Sequence, residues 1–266
     1  MTSRSRPLVI LNTITLVAML FANYAANAGL YAKVNVADIS HKYDTLFAPA
    51  GYAFVIWGVL FLLAIGFVIY QWVLIKRKDP DEYIDGTGLW FALSNIANAA
   101  WLYCWLTERI GVSVIMILFL LLCLVMLTLR LRLELEDVSV CNIFFVWWPV
   151  SFYLGWIMVA SIACIAAWLT SIGWDRLGIS ESTWTVLMII IACILYLRLI
   201  QKRNMREAAA VGIWAFIAIA VRQWNIHNGI VYTALFAGLI LLIASGLHAY
   251  KNRFYNIGSK LKRGEW

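Results

Sequence analysis

The chain has 266 residues, of which 64% are hydrophobic and only 13% are charged. A soluble domain is about 45–50% apolar and about 25% charged, so a water-exposed globule of this length could not bury so much apolar surface. The composition excludes a soluble cytosolic enzyme, a disulfide-knit secreted domain and a disordered regulator. The net charge of +7 is no evidence of nucleic-acid binding, because the positions of basic residues in a membrane protein set its orientation.

Eight apolar segments are each long enough to cross a bilayer. A hydrocarbon core takes about 20 helical residues, and backbone groups in lipid must be satisfied within their own segment, which favours helices. The sequence therefore predicts an all-α fold, a polytopic transmembrane helix bundle of about eight spans. These spans are residues 8–30, 52–75, 88–107, 111–130, 142–171, 183–200, 207–224 and 228–249.

The basic residues predict the orientation of these spans. Of the 21 Lys and Arg residues, all but five lie in the N-terminus or in the segments that follow spans 2, 4, 6 and 8. The five on the opposite side are Lys33, Lys42, Arg109, Arg176 and Arg222. Because loop Lys and Arg favour the cytoplasmic side, we predict that both termini are cytoplasmic and that the protein resides in the plasma membrane as a multi-pass protein.

Residues 1–28 allow a second interpretation. Two arginines, an apolar stretch and the small-residue run 26–28 resemble a cleavable signal peptide. However, Asn23 and Asn27 lie four residues apart on one helix face among small residues, which favours close helix packing. We therefore expect a retained first span, with cleavage as the alternative.

Several classes of chemistry lack the residues they need. No Lys, Asp or Glu lies in the middle of a span, which argues against a retinal protein and against an ion-coupled pump. The three His residues share no ligand spacing, and the five Cys residues form no CxxC pair. The sequence thus predicts no catalytic residues, no metal site and no enzyme activity.

The tryptophans are the most informative residues. Ten of the fourteen precede residue 175, so we divide the chain into a Trp-rich five-helix module at 1–174 and three further helices with a basic tail at 175–266. Trp57, Trp101 and Trp156 lie well inside their spans, which an interfacial aromatic belt does not explain. Asn98 shares one helix face with Trp101, and such a polar-aromatic face should turn away from lipid.

Three segments carry a resemblance to a known family. They are Pro49, Gly51, Tyr52, Phe54 and Trp57 in span 2, Asn98, Trp101 and Trp105 in span 3, and Pro149, Tyr153, Trp156 and Ala160 in span 5. In this order they resemble the tryptophan-rich sensory protein family, also called the TspO/MBR or translocator protein family. The resemblance covers residues 1–174 and suggests a long, divergent branch of that family.

The resemblance implies a pocket between spans 2, 3 and 5 near the outer face. Its expected ligand-binding residues are Tyr52, Phe54, Trp57, Asn98, Trp101, Trp105, Tyr153 and Trp156. Indole rings stack on flat conjugated molecules, and one amide would orient the ligand. The long segment 31–48 would form a lid over this pocket.

The implied function is binding, for sensing or transport, of a flat hydrophobic small molecule, such as a tetrapyrrole or a sterol-like lipid. Porphyrin or haem is expected as a ligand and no cofactor is assigned. The expected partners are the lipid bilayer, that ligand and a second copy of the chain in a homodimer, with no nucleic acid. Two alternatives stay open: a facilitated transporter of a small uncharged solute, and a membrane enzyme that acts on a pigment or lipid.

Overall fold

The computed structural model describes residues 5–77, 82–255 and 257–265, and within these ranges the chain forms helices and no β-strand. Eight helices are long and are labelled in chain order. They are α1 Ser5–Asn27, α2 Ile56–Arg77, α3 Trp90–Leu106, α4 Ile110–Arg130, α5 Trp148–Ser171, α6 Glu181–Arg203, α7 Arg206–Arg222 and α8 Asn228–Lys251. The all-α class is confirmed, and each predicted span coincides with one of these helices.

Shorter helices occupy several of the connections. They are Val36–Lys42 before α2, a 3₁₀ turn at Gly51–Val55, Glu82–Thr87, Val140–Asn142, a 3₁₀ turn at Arg176–Gly178, and Arg253–Tyr255 and Ile257–Arg263 after α8. The helix Val36–Lys42 begins with a capping box, in which the Asn35 side chain accepts from the backbone of Asp38 and Asp38 accepts from that of Asn35. The predicted lid is therefore an ordered helical segment.

The long fifth segment begins with an irregular turn. A π-helical turn at Ile143–Trp147 leads directly into α5, whose first turn contains Pro149. Proline has no N–H and its ring clashes with the carbonyl four residues earlier, so a wider turn just before it relieves that clash. The disturbance at Pro149 thus takes the form of a π turn.

Helices α1, α2, α3, α4 and α5 pack together, and α7 joins this group to α6 and α8 by packing on α5. One buried cluster of apolar side chains runs through all eight helices. Polar pairs also fix α1 in place: the amide of Asn12 donates to Gln71 Oε1 over 3.0 Å, and the amide of Asn95 donates to Thr15 Oγ1 over 3.3 Å. Helix α1 is therefore an integral part of the bundle.

The outer surface is suited to lipid. Six of the long helices are long and apolar enough to be candidate membrane spans, while α3 and α7 have 17 residues each. Large apolar side chains such as Ile14, Leu62 and Phe236 are exposed on the outside. Exposed apolar surface of this extent is typical of a membrane-embedded protein, so the chain has the architecture of a multi-pass membrane protein.

Candidate ligand-binding site

Trp57 of α2 is the centre of an aromatic cluster. Its ring stacks on Trp101 of α3, with centroids 5.8 Å apart and planes inclined by 25°. The rings of Tyr153 and Trp156 of α5 meet it edge-on at 6.1 and 6.3 Å. Such pairs contribute about 0.5–1.5 kcal/mol each beyond area burial. Residues from α2, α3 and α5 that are far apart in the sequence therefore share one site.

A cavity of about 40 Å³ adjoins this cluster. Its walls come from the lid, from the start of α2 and from one side each of α3 and α5; they are Val36, Ser40, Thr45, Pro49, Phe54, Trp57, Trp101, Trp105, Trp156, Val159, Ala160, Ala163, Cys164 and Ala167. The space suffices for a few water molecules and is far smaller than a tetrapyrrole. The aromatic rings largely fill their own site, so a flat ligand must displace them.

Asn98 supplies the buried amide of the site. It is fully buried, and its Oδ1 accepts a hydrogen bond from the amide of Asn23 over 3.0 Å. Among the described residues, neither its amide nitrogen nor the buried Tyr153 hydroxyl has a hydrogen-bond partner. Within the described part of the chain, the indole N–H of buried Trp156 has no acceptor. This N–H is a donor that a bound ligand with a carbonyl or ring nitrogen can use.

The lid is attached to α3 and to the loop that follows it. The indole N–H of Trp105 donates to the carbonyl of Val36 over 3.2 Å. Lys42 and Tyr43 both donate to Glu108, over 2.5 and 3.1 Å. These two hydrogen bonds lower the pKa of the Glu108 carboxyl, so the attachment persists at neutral pH and weakens only in acid.

The other end of the lid is held by the C-terminal helices. The backbone N–H of Leu46 donates to Glu181 Oε1 over 3.1 Å, and the side chain of Gln223 donates to the Leu46 carbonyl over 3.0 Å. Arg222 pairs with Asp44 at 2.6 Å. Helices α6 and α7 thereby fix the segment that leads from the lid into the site.

Of the eight predicted residues, the structure brings seven together. Phe54, Trp57, Trp101, Trp105 and Trp156 line the cavity, and Asn98 and Tyr153 pack beside it. Tyr52 lies apart from them, because its half-exposed ring contacts Trp214 of α7 edge-on at 5.3 Å. Tyr52 joins the 3₁₀ turn before α2 to α7 in this arrangement.

Sequence reasoning missed part of the cavity wall. Thr45 lies in the lid and no motif marks it, since its position depends on how α6 and α7 hold the loop. The small residues Ala160, Ala163 and Ala167 were not missed: they follow Trp156 at helical spacing, which indicates that α5 presents a narrow side to the site.

The outer arginines do not reach the site. Arg176 pairs with Glu181 at 3.0 Å, Arg222 pairs with Asp44, and Arg109 lies over the ring of Tyr103. These three arginines make structural contacts at the ends of the loops. In addition, across residues 5–77, 82–255 and 257–265 no group of three His, Cys, Asp or Glu side chains could hold a metal ion.

At the opposite end of the bundle lies a charged cluster that sequence reasoning overlooked. Glu134, in the loop after α4, accepts from the amide of Asn204 over 3.1 Å and faces Glu207 and Arg206 in the first turn of α7. Burial, together with the charge of Glu207, raises the pKa of Glu134. These groups line a cavity of about 360 Å³.

The fold and the site define a multi-pass helical membrane protein with a tryptophan-lined cavity inside its first five long helices. A family model described as TSPO-like protein matches residues 9–247. The chain therefore belongs to the TSPO-like protein family, and the match extends over α6, α7 and α8 beyond the residues that carried the resemblance. The comparison with curated proteins gave no match, and the comparison with solved structures gave none either.

Proposed function

We propose that the protein binds a flat hydrophobic small molecule at the Trp57 site, in order to sense or carry it. The observation that carries this proposal is the stack of Trp57 on Trp101, with Trp156 edge-on beside a cavity. The family is generally not enzymatic, which favours a binding protein over an enzyme.

The geometry also favours one way of binding. Because the cavity holds only about 40 Å³, a conjugated ligand enters by separating the Trp57 and Trp101 rings and replaces their contact with two ring–ligand stacks. Trp156 and the Asn98 amide then offer hydrogen bonds that orient it. No His residue lines the cavity, so stacking on the indole rings is the main contact proposed for a haem-like ligand.

A titration of intrinsic Trp fluorescence in detergent or nanodiscs tests this proposal. Protoporphyrin IX, haem and a fluorescence-silent sterol are added separately to the full chain, to Trp101→Ala and to Asn98→Ala. Trp224→Ala is the matched control, because Trp224 is exposed and lines neither of the two cavities that adjoin the lid. We expect saturable quenching that Trp101→Ala weakens at least about tenfold and that Trp224→Ala leaves unchanged. Equal quenching in all variants would refute the site.

We further propose that all eight long helices span the plasma membrane with both termini cytoplasmic. Helices α3 and α7 have 17 residues and are about 26 Å long, close to the thickness of a hydrocarbon core of about 30 Å. In this proposal residues 1–174 bind the ligand, and residues 175–266 hold the lid through Glu181 and Gln223.

Single cysteines test this topology. Lys33→Cys should react with an impermeant maleimide from outside intact cells, and Lys262→Cys only after the cells are opened. The background is low because four of the five native Cys side chains are buried. Labelling of both cysteines from outside would mean an even number of spans between them, and would contradict the seven that this topology requires.

A further inference from the structure

A second cavity, separate from the Trp57 site, lies between α5 and α6. It has a volume of about 230 Å³, against about 40 Å³ at the Trp57 site. Its walls are mostly apolar; they are Thr45, Leu46, Phe47, Ile162, Ile165, Ala166, Leu169, Thr170, Trp174, Arg176, Glu181, Trp184, Thr185 and Met188. Of these residues only Thr45 also lines the Trp57 site.

The polar groups in this cavity are few and distinctive. Thr45 and Thr185 are 4% and 5% exposed, yet among the hydrogen bonds of the described residues neither hydroxyl has a partner. Neither oxygen is among the fully enclosed, unpartnered polar atoms of the described residues, so both hydroxyls are open to the cavity space. A ligand that fills the cavity can therefore supply their hydrogen-bond partner. Two such hydroxyls, one on the lid and one on α6, are a feature expected of a binding site.

The charges in the walls exclude an ionic ligand. Arg176 and Glu181 are the charged residues that line the cavity, and they neutralise each other at 3.0 Å. Glu181 uses its second oxygen for the backbone of Leu46, so its charge is fully engaged. The indole N–H of Trp184 donates to the carbonyl of Arg176 over 2.7 Å, and its ring centroid lies 5.3 Å from that of Trp174. These contacts hold the three residues in place in the cavity wall.

We propose that this cavity binds an uncharged molecule with an apolar skeleton and one oxygen atom, an alcohol or a ketone, that pairs with the hydroxyls of Thr185 and Thr45. The apolar skeleton packs on Leu169 of α5 and Met188 of α6. One wall of this cavity comes from α6. The site therefore requires the part of the chain that follows the five-helix module at residues 1–174. It does not depend on what binds at the Trp57 site.

Benzophenone tests the proposal, because it is an uncharged ketone that inserts into nearby C–H bonds under light. The full chain in nanodiscs is irradiated with increasing benzophenone, and the labelled residues are mapped by mass spectrometry. We expect saturable labelling of Met188 and Leu169. Thr185→Val, which keeps the shape and removes the hydroxyl, should raise the half-saturating concentration about five- to tenfold.

Further variants separate the outcomes. Thr185→Ser retains the hydroxyl and should restore labelling, and Met188→Trp should abolish the labelling of Leu169 by filling the space. Thr233→Val, on α8 away from the cavity, and Trp101→Ala, at the Trp57 site, should label as the native chain does. Labelling that rises linearly with benzophenone and spreads over lipid-facing residues would overturn the site. Labelling that is saturable but indifferent to Thr185→Val would overturn the role of the hydroxyl.

Discussion

The carboxylate of Glu181, at the start of α6, accepts a hydrogen bond from the backbone N–H of Leu46 over 3.1 Å. The two residues are 135 positions apart in the sequence, and Leu46 belongs to the segment that leads from the lid into the Trp57 site. This contact joins the C-terminal helices to the segment that enters the Trp57 site. In the function proposed above, these helices hold the lid of that site.

Replacement of Glu181 by alanine should loosen the lid. A hydrogen bond to a charged acceptor contributes about 1.5–3 kcal/mol, so hydrogen exchange of the Leu46 amide should accelerate about tenfold or more. The measurement is exchange followed by mass spectrometry on peptides that cover residues 43–50. Arg176→Gln is the matched control, because it removes the ion pair and leaves the Leu46 contact in place. Equal exchange in both variants would show that the contact does not hold the lid.

The contact between Asn23 and Asn98 should couple α1 to the Trp57 site. Hydrogen bonds between helices in membranes contribute about 0.6–2 kcal/mol, so Asn23→Ala should lower the free energy of unfolding by about 1 kcal/mol. In a double-mutant cycle with Asn98→Ala, the two losses should not add. Asn27→Ala provides the control, since that amide bonds only the backbone of its own helix. Additive losses would contradict the coupling.

The sequence predicted the helices well, because the length of an apolar segment can be seen in the local sequence alone. Trp57, Trp101 and Trp156 were also identified, since their positions inside spans required an explanation beyond an interfacial belt. Tyr52 was assigned to the site because it belongs to the motif of span 2, but its ring packs on Trp214. The neighbour that decides this, α7, lies outside the five-helix pattern, so the motif held no information about it.

Thr45 and Glu134 show what local patterns cannot predict. Thr45 lines both cavities through a loop whose course depends on Glu181 and Gln223, over 130 residues away. No motif in the sequence marks Glu134, and the first turn of α7 faces it in the fold. In both cases the environment of the side chain comes from a C-terminal helix that packs on the N-terminal five-helix module. The sequence alone does not show such long-range contacts.

Glu134→Gln should alter the dependence of stability on pH. Burial and the nearby Glu207 carboxyl raise the pKa of Glu134 above its usual 4.5, so the folded protein holds this proton more tightly than the unfolded chain. Stability from this group is therefore complete below about pH 4.5 and is lost as the pH rises toward the folded pKa. The glutamine variant cannot ionise and should escape that loss.

Thermal unfolding in detergent at pH 5 and pH 8 measures this effect. We expect Glu134→Gln to raise the Tm by about 2–4 °C at pH 8 and by less at pH 5. Glu136→Gln, at an exposed acid in the same loop, is the control and should show no such pH-dependent difference. A Tm gain for Glu134→Gln that is the same at both pH values would contradict a raised pKa.

Gly155→Ala should separate α5 from α7. A Cβ at Gly155 would lie 2.7 Å from the carbonyl oxygen and 2.9 Å from the Cα of Ala208, and backbone atoms cannot give way as a side chain can. The Gly155 carbonyl also accepts a hydrogen bond from the buried Tyr196 hydroxyl over 2.7 Å. We expect a loss of about 3 kcal/mol in the free energy of unfolding, measured by denaturant titration in mixed micelles.

Gly58→Ala is the matched control, because a Cβ at that position of α2 meets no atom within 4 Å. It should leave the stability unchanged or raise it slightly, since alanine favours a helix by up to about 1 kcal/mol over glycine. If Gly155→Ala were as stable as Gly58→Ala, the two helices could not be in backbone contact. The lid, which α7 holds through Gln223 and Arg222, should also exchange faster in Gly155→Ala, because displacement of α7 moves both side chains away from it.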